Sequence, residues 1–129
     1  MSEVYVNVIF WSYLEPLLVL TSEGWEDKRT IDELLSSTKV IEVYGCIHNS
    51  KVSSVLQKFG FRYSKVKGCW ILEKSFTRAE IDNILVELEK VAEVFRHFSY
   101  MKYYINEKDE EEILEELRKI AHGEKKRLI

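Results

Sequence analysis

KVIEVYGCIHNSKVSSVLQKFGFRYSKVKGCWIL, residues 39–72, carries in one run the signals for a strand, a capped helix and a hairpin, and the rest of the chain is read outward from it. Residues 39–46 are β-branched and aromatic and read as a strand that ends at Gly45 or soon after. Asn49 can cap a helix, because its side-chain oxygen accepts from the free amides of the first turn, and Val52, Val55, Leu56 and Phe59 follow at helical spacing. Gly60 sits where a left-handed residue ends such a helix. Residues 61–63 and 69–72 then flank the loop 64–68, which has glycine at its end, as in a hairpin.

Upstream, Val4, Val6, Val8 and Phe10 alternate with Tyr5, Asn7, Ile9 and Trp11, and both sets are substantially apolar, as in a strand covered on each side. Residues 17–20 form a second strand. The polar run 21–29, with Gly24 inside it, reads as the longest loop. Thr30 and Glu33 then open a short helix containing Ile31, Leu34 and Leu35.

Downstream, Thr77 and Glu80 form another capping box, and Ile81, Ile84, Leu85, Leu88, Ala92 and Phe95 trace one apolar stripe. Residues 100–105 are aromatic and extended in character. Residues 109–121 make a final helix with Ile113, Leu114, Leu117 and Ile120 expected to face inward. Its acids lie early and Arg118 and Lys119 late, in keeping with the helix dipole. The order is β-β-α-β-α-β-β-α-β-α. Such an order predicts one α+β domain over residues 1–129, with a mixed sheet and helices mainly on one face.

The composition fits that reading, since 129 residues at 46% hydrophobic and 32% charged can bury a single core. The abundance of Glu, Lys and Arg suits a thermophilic host, and so small a stand-alone protein suits an archaeon or one of its viruses. A formal charge of −3 gives no global attraction to nucleic acid or to an anionic membrane. The apolar start has no basic leader and is interrupted by Asn7, Glu15 and Pro16, so no membrane segment is expected. Two cysteines, Cys46 and Cys69, cannot make the disulfide framework of a small secreted domain, and a cytoplasmic location follows as the expectation.

Charge distribution says more than its sum. Between Val43 and Leu72 there is no aspartate or glutamate, while Lys51, Lys58, Arg62, Lys65 and Lys67 are basic. Tyr44, Phe59, Phe61, Tyr63 and Trp70 are interleaved with them, and cations beside flat rings are what single-stranded nucleic acid requires. Large aromatics are more often core than exposed, so Phe59, Phe61 and Trp70 are assigned to the core and Tyr63 to the surface. Lys65 and Lys67 lie in a loop with little to bury. The expected nucleic-acid-binding set is therefore Lys51, Lys58, Arg62, Tyr63, Lys65 and Lys67.

Val43-Tyr44-Gly45, a helix closing on Leu56-Gln57-Lys58-Phe59-Gly60-Phe61-Arg62-Tyr63, then Trp70-Ile71-Leu72 and Thr77 before a long helix together resemble the small HARP-type modules attached to DNA helicases and annealing helicases. The resemblance covers residues 39–96. It implies contact with DNA or RNA near the turn and hairpin, where Lys58, Arg62, Tyr63, Lys65 and Lys67 stand at matching positions. It also implies a helicase-type protein partner, because this chain has no P-loop of its own.

No motif for catalysis, cofactor or metal stands out. Cys46-Ile47-His48 with Cys69 lacks the paired spacing of a zinc site, and both cysteines are expected on strands of one sheet. The functional expectation is a small nucleic-acid-binding accessory factor. The alternative is a protein-interaction or regulatory subunit, a homodimer using Tyr100, Tyr103 and Tyr104 or the last helix, whose trailing Lys125, Lys126 and Arg127 suit an acidic partner.

Overall fold

The computed structural model describes residues 3–123. Strand β1 (Tyr5–Ser12) comes first. A hairpin of β2 (Leu18–Thr21) and β3 (Gly24–Asp27) leads to helix α1 (Ile31–Ser36) and strand β4 (Thr38–Gly45). Helix α2 (Ser50–Lys58), strands β5 (Arg62–Ser64) and β6 (Cys69–Glu73), helix α3 (Arg78–Glu89) and strand β7 (Glu93–Tyr100) follow. A 3-10 turn (Met101–Tyr103) then passes into helix α4 (Glu107–Ala121).

Five strands form one sheet in the order β5-β6-β4-β1-β7, in which β1 and β7 are parallel and the other pairs antiparallel. The fold is α+β with a mixed sheet. Val6, Val8 and Phe10 of β1, Ile41 and Val43 of β4 and Trp70 of β6 point to one face. There they meet Leu35 of α1, Val52 and Leu56 of α2, and Ile81, Ile84, Leu85 and Leu88 of α3. Burying a side chain of this kind contributes about 1.5–3 kcal/mol, which makes this face the main source of stability. Phe61 and Trp70 are core residues, as expected, and the Trp70 indole donates to the Ile47 carbonyl at 3.1 Å.

The local chemistry explains the element ends. The Asn49 side chain accepts from the amides of Lys51 and Val52, and Gly60 at φ +90° ends α2. Thr77 and Glu80 bond each other's backbone amides in a full capping box at the start of α3.

Three expectations change. Residues 21–29 are not all loop, because Gly24–Asp27 pairs with Leu18–Thr21 across a turn at Ser22 and Glu23, and Gly24 leaves that turn at φ +112°. The strand expected at 100–105 lies earlier, at Glu93–Tyr100, and Phe95 belongs to it rather than to the helical stripe. α3 ends at Glu89, and the apolar spacing of Ala92 and Phe95 matches a helix only by coincidence. Cys46 lies just past the end of β4, so only Cys69 is on a strand; both are free thiols.

Gly45 illustrates a backbone constraint on the centre of the sheet. It has φ +106°, and a Cβ there would stand 2.9 Å from the Tyr5 carbonyl oxygen of the paired strand. Gly45→Ala is expected to lower stability by about 1–3 kcal/mol in urea unfolding, from backbone strain and that close approach together.

Candidate functional site

The sheet separates the residues expected to bind nucleic acid. Lys51 and Lys58 are exposed on α2, on the side of the main core, with the Lys58 ammonium 5.9 Å from the Phe59 ring centre. Tyr63 is half-buried on that same side, its ring packed against His48 and Trp70 at centroid distances of 5.5 and 5.6 Å. Arg62 points to the opposite face, where its guanidinium pairs with Glu107 of α4 and lies 3.8 Å from Glu73. Lys65 is exposed in the turn between β5 and β6. The five cations do not converge.

Lys67 is not a surface group at all. Its side chain is 8% exposed, and its ammonium lies 2.8 Å from Oε2 of Glu42, which is 1% exposed on β4. The same ammonium donates to the Ile105 carbonyl and sits 4.1 Å from the centre of the Tyr104 ring. The expectation that this loop has little to bury is thus corrected. The loop places Lys67 over the outer face of the sheet, where the only way to bury Glu42 as a carboxylate is to give it a cation and hydrogen bonds.

Around that pair the outer face is closed by a second, smaller core. Trp11 donates its indole N–H to Oε1 of Glu42 at 2.7 Å, and the Cys69 thiol lies 3.7 Å from Oε2. Val40, Cys69 and Ile71 are buried beneath Trp11, Tyr44, Met101 and Tyr104, and the Trp11 and Tyr104 rings meet edge to face at 5.1 Å. Burial pushes the Cys69 thiol up to about 11 and raises the Tyr44 and Tyr104 hydroxyls as well. A thiol held neutral in this way is a poor nucleophile. The cluster has the residue types of an active site, and the Tyr104 hydroxyl has no hydrogen-bond partner among the described residues.

Sequence reading missed Glu42 as the partner of Lys67 and Trp11 as the second partner of Glu42. The usable signal was a lone acid between Ile41 and Val43 in the apolar part of β4, next to the acid-free stretch.

Helix α4 is attached to this cluster by its first turn. The Glu107 carboxyl is held below its ordinary range by hydrogen bonds from Ser64 and Arg62. Beyond that turn no residue of α4 is buried. Ile113 and Leu117, expected to face inward, are 46% and 55% exposed. They lie with Asp109, Glu112, Glu116 and Ile120 along an open groove of about 560 Å³. Leu114, on the other flank, lines a separate hollow with Lys65, Val66 and Arg118.

The β2–β3 hairpin is a second unburied apolar feature. Leu18, Leu20 and Trp25 share one face of it, with Leu20 directly opposite Trp25, and Leu20 and Trp25 are 65% and 69% exposed. Its base is fixed by Arg29, which chelates the Asp27 carboxylate and donates to the Leu14 carbonyl at 2.7 Å. The Arg29 hydrogen bonds hold the Asp27 carboxyl down at about 2.

Among the described residues no group of His, Cys, Asp or Glu is arranged to hold a metal ion, and no helix is long and apolar enough to cross a membrane. Comparison with protein-family models, with curated proteins and with solved structures gave no match to this chain.

Two outcomes test this geometry. Lys67→Met leaves Glu42 buried without its cation and is expected to cost about 3–5 kcal/mol in urea unfolding. The double variant Glu42→Leu/Lys67→Met, which removes both charges, is expected to recover most of that loss. For the hairpin, the Asp27 carboxyl is expected to titrate near 2 by NMR, against 3.8 for an unperturbed group. The sign follows from the depression: its contribution is complete above about 3.8 and disappears as pH falls through about 2.

Proposed function

We propose that the chain is a small protein-interaction subunit that joins another protein through apolar surface its own fold leaves uncovered. The observation that carries this reading is α4, a helix of 15 residues with Ile113 and Leu117 on an open face and no buried residue. A helix gains most of its stability from packing an apolar face, and this one leaves its own apolar stripe unburied. The hairpin face of Leu18, Leu20 and Trp25 supports the same reading, because a two-stranded ribbon is marginal in water unless something covers it. A helicase-type motor, the partner implied by the resemblance of residues 39–96, is a protein partner of this kind.

Contact with single-stranded nucleic acid is the second reading. It is favoured by one observation: Lys51 and Lys65 are exposed and enter no ion pair among the described residues. It has lost Lys67 to the interior and Arg62 to two carboxylates. With Lys58 added, three phosphate contacts give a salt slope of only about −2 for a single strand.

The readings are separated by two measurements on the same protein. The chain is expected to retain a stoichiometric protein partner from host extract, with Ile113→Ser/Leu117→Ser or Leu20→Ser/Trp25→Ser losing it. Fluorescence anisotropy with labelled single-stranded DNA and RNA is expected to show no binding tighter than about 100 µM at low salt. Tight oligonucleotide binding that Lys51→Ala/Lys58→Ala/Lys65→Ala removes, with partner capture indifferent to the apolar variants, would reverse the choice.

A further inference from the structure

We infer that the exposed groove of α4 is built for a basic amphipathic helix of a partner protein, and not for a second copy of this chain or for nucleic acid. The inference rests on the interaction reading above and names the chemistry of its partner.

The groove is defined by its floor and its rim. Ile113, Leu117 and Ile120 form the floor at the i, i+4, i+7 spacing by which one helix lies along another. The floor is two turns long, and Asp109 extends it to about 16 Å at 1.5 Å per residue, which matches a partner helix of about three turns. Every charged residue on the rim, Asp109, Glu112 and Glu116, is a carboxylate. Arg62 pairs with Glu107 and Arg118 with Glu115 on α4, and Asp109 and Glu112 on the rim are not part of either pair.

Charge then selects among occupants. α4 carries seven carboxylates against three cations, an excess of four negative charges in 15 residues. Two such helices laid together would set carboxylate rims side by side, and like charges at helix neighbours are destabilising. Phosphates of a nucleic acid and an anionic lipid surface meet the same repulsion. A helix with lysine or arginine flanking its own apolar stripe removes it, and gains ion pairs at the edge of a water-excluded seam. Such pairs act on partner choice and association rate more than on affinity. The area available is small, so the complex belongs to the weak, transient class.

The test uses fluorescence anisotropy with the full chain and two designed helices of about 18 residues: a leucine–lysine amphipathic helix and its leucine–glutamate counterpart. The leucine–lysine helix is expected to bind in the micromolar range and the leucine–glutamate helix not to bind. Asp109→Lys/Glu112→Lys is expected to weaken the first by tenfold or more and to admit the second. Ile113→Ser/Leu117→Ser is expected to abolish both, with an unchanged circular dichroism spectrum because these side chains are already exposed. Equal binding of the leucine–lysine helix by wild type and by the charge-inverted variant would overturn the inference. So would self-association of the chain that Ile113→Ser/Leu117→Ser removes, or a preference of the wild type for the leucine–glutamate helix; in those cases α4 remains an interaction face with a different occupant. If neither helix binds and the apolar variant alters no partner capture, the interaction reading itself falls.

Discussion

The buried pair of Glu42 and Lys67 is the constraint on which the outer half of the molecule is assembled. A carboxylate in the middle of β4, with almost no exposure, is costly unless it is ion-paired and hydrogen-bonded. Trp11 supplies one hydrogen bond from β1, and Lys67 supplies the charge from the β5–β6 turn. Because the Lys67 ammonium also donates to Ile105 and rests on Tyr104, the segment after β7 is tied to the same point. One interaction thus joins the sheet, a hairpin turn and the approach to the last helix.

That arrangement also decides what α4 can present. The second core ends at Tyr104, and the Arg62–Glu107–Ser64 contacts hold only the first turn of the helix. The remaining turns run on without burying a residue, so the apolar stripe is left at the surface with its carboxylates. The hairpin repeats this design at another place in the fold: a clamp of Arg29 on Asp27 fixes the base, and the apolar face stays open.

The basic segment gives the converse lesson. An acid-free stretch rich in lysine looks like an electrostatic footprint, yet the fold brings acids from elsewhere to it. Glu42 neutralises Lys67, while Glu73 and Glu107 flank Arg62. Separation along the chain says little about separation in space when β4, β6 and α4 all converge on one face of the sheet.

Much of the fold was legible in the sequence because its signals are local. Asn49, Gly60, Thr77 and Glu80 act on backbone groups within a few residues, so caps and terminators are readable without knowing the fold. Strands β1, β4 and β6 and the core role of Trp70 follow from apolar patterning that any burial satisfies. The β2–β3 hairpin was not legible, since Trp25, Glu26 and Asp27 pair across a turn without a period-two apolar pattern. The end of α3 was misread because Ala92 and Phe95 keep helical spacing after the backbone has become a strand. Sequence determined the element types and the large core by itself, since these depend on neighbours and on hydrophobicity. Only tertiary structure decided that Lys67 is interior and that Ile113 and Leu117 are exterior, because both depend on which distant carboxylate or surface the fold places beside them.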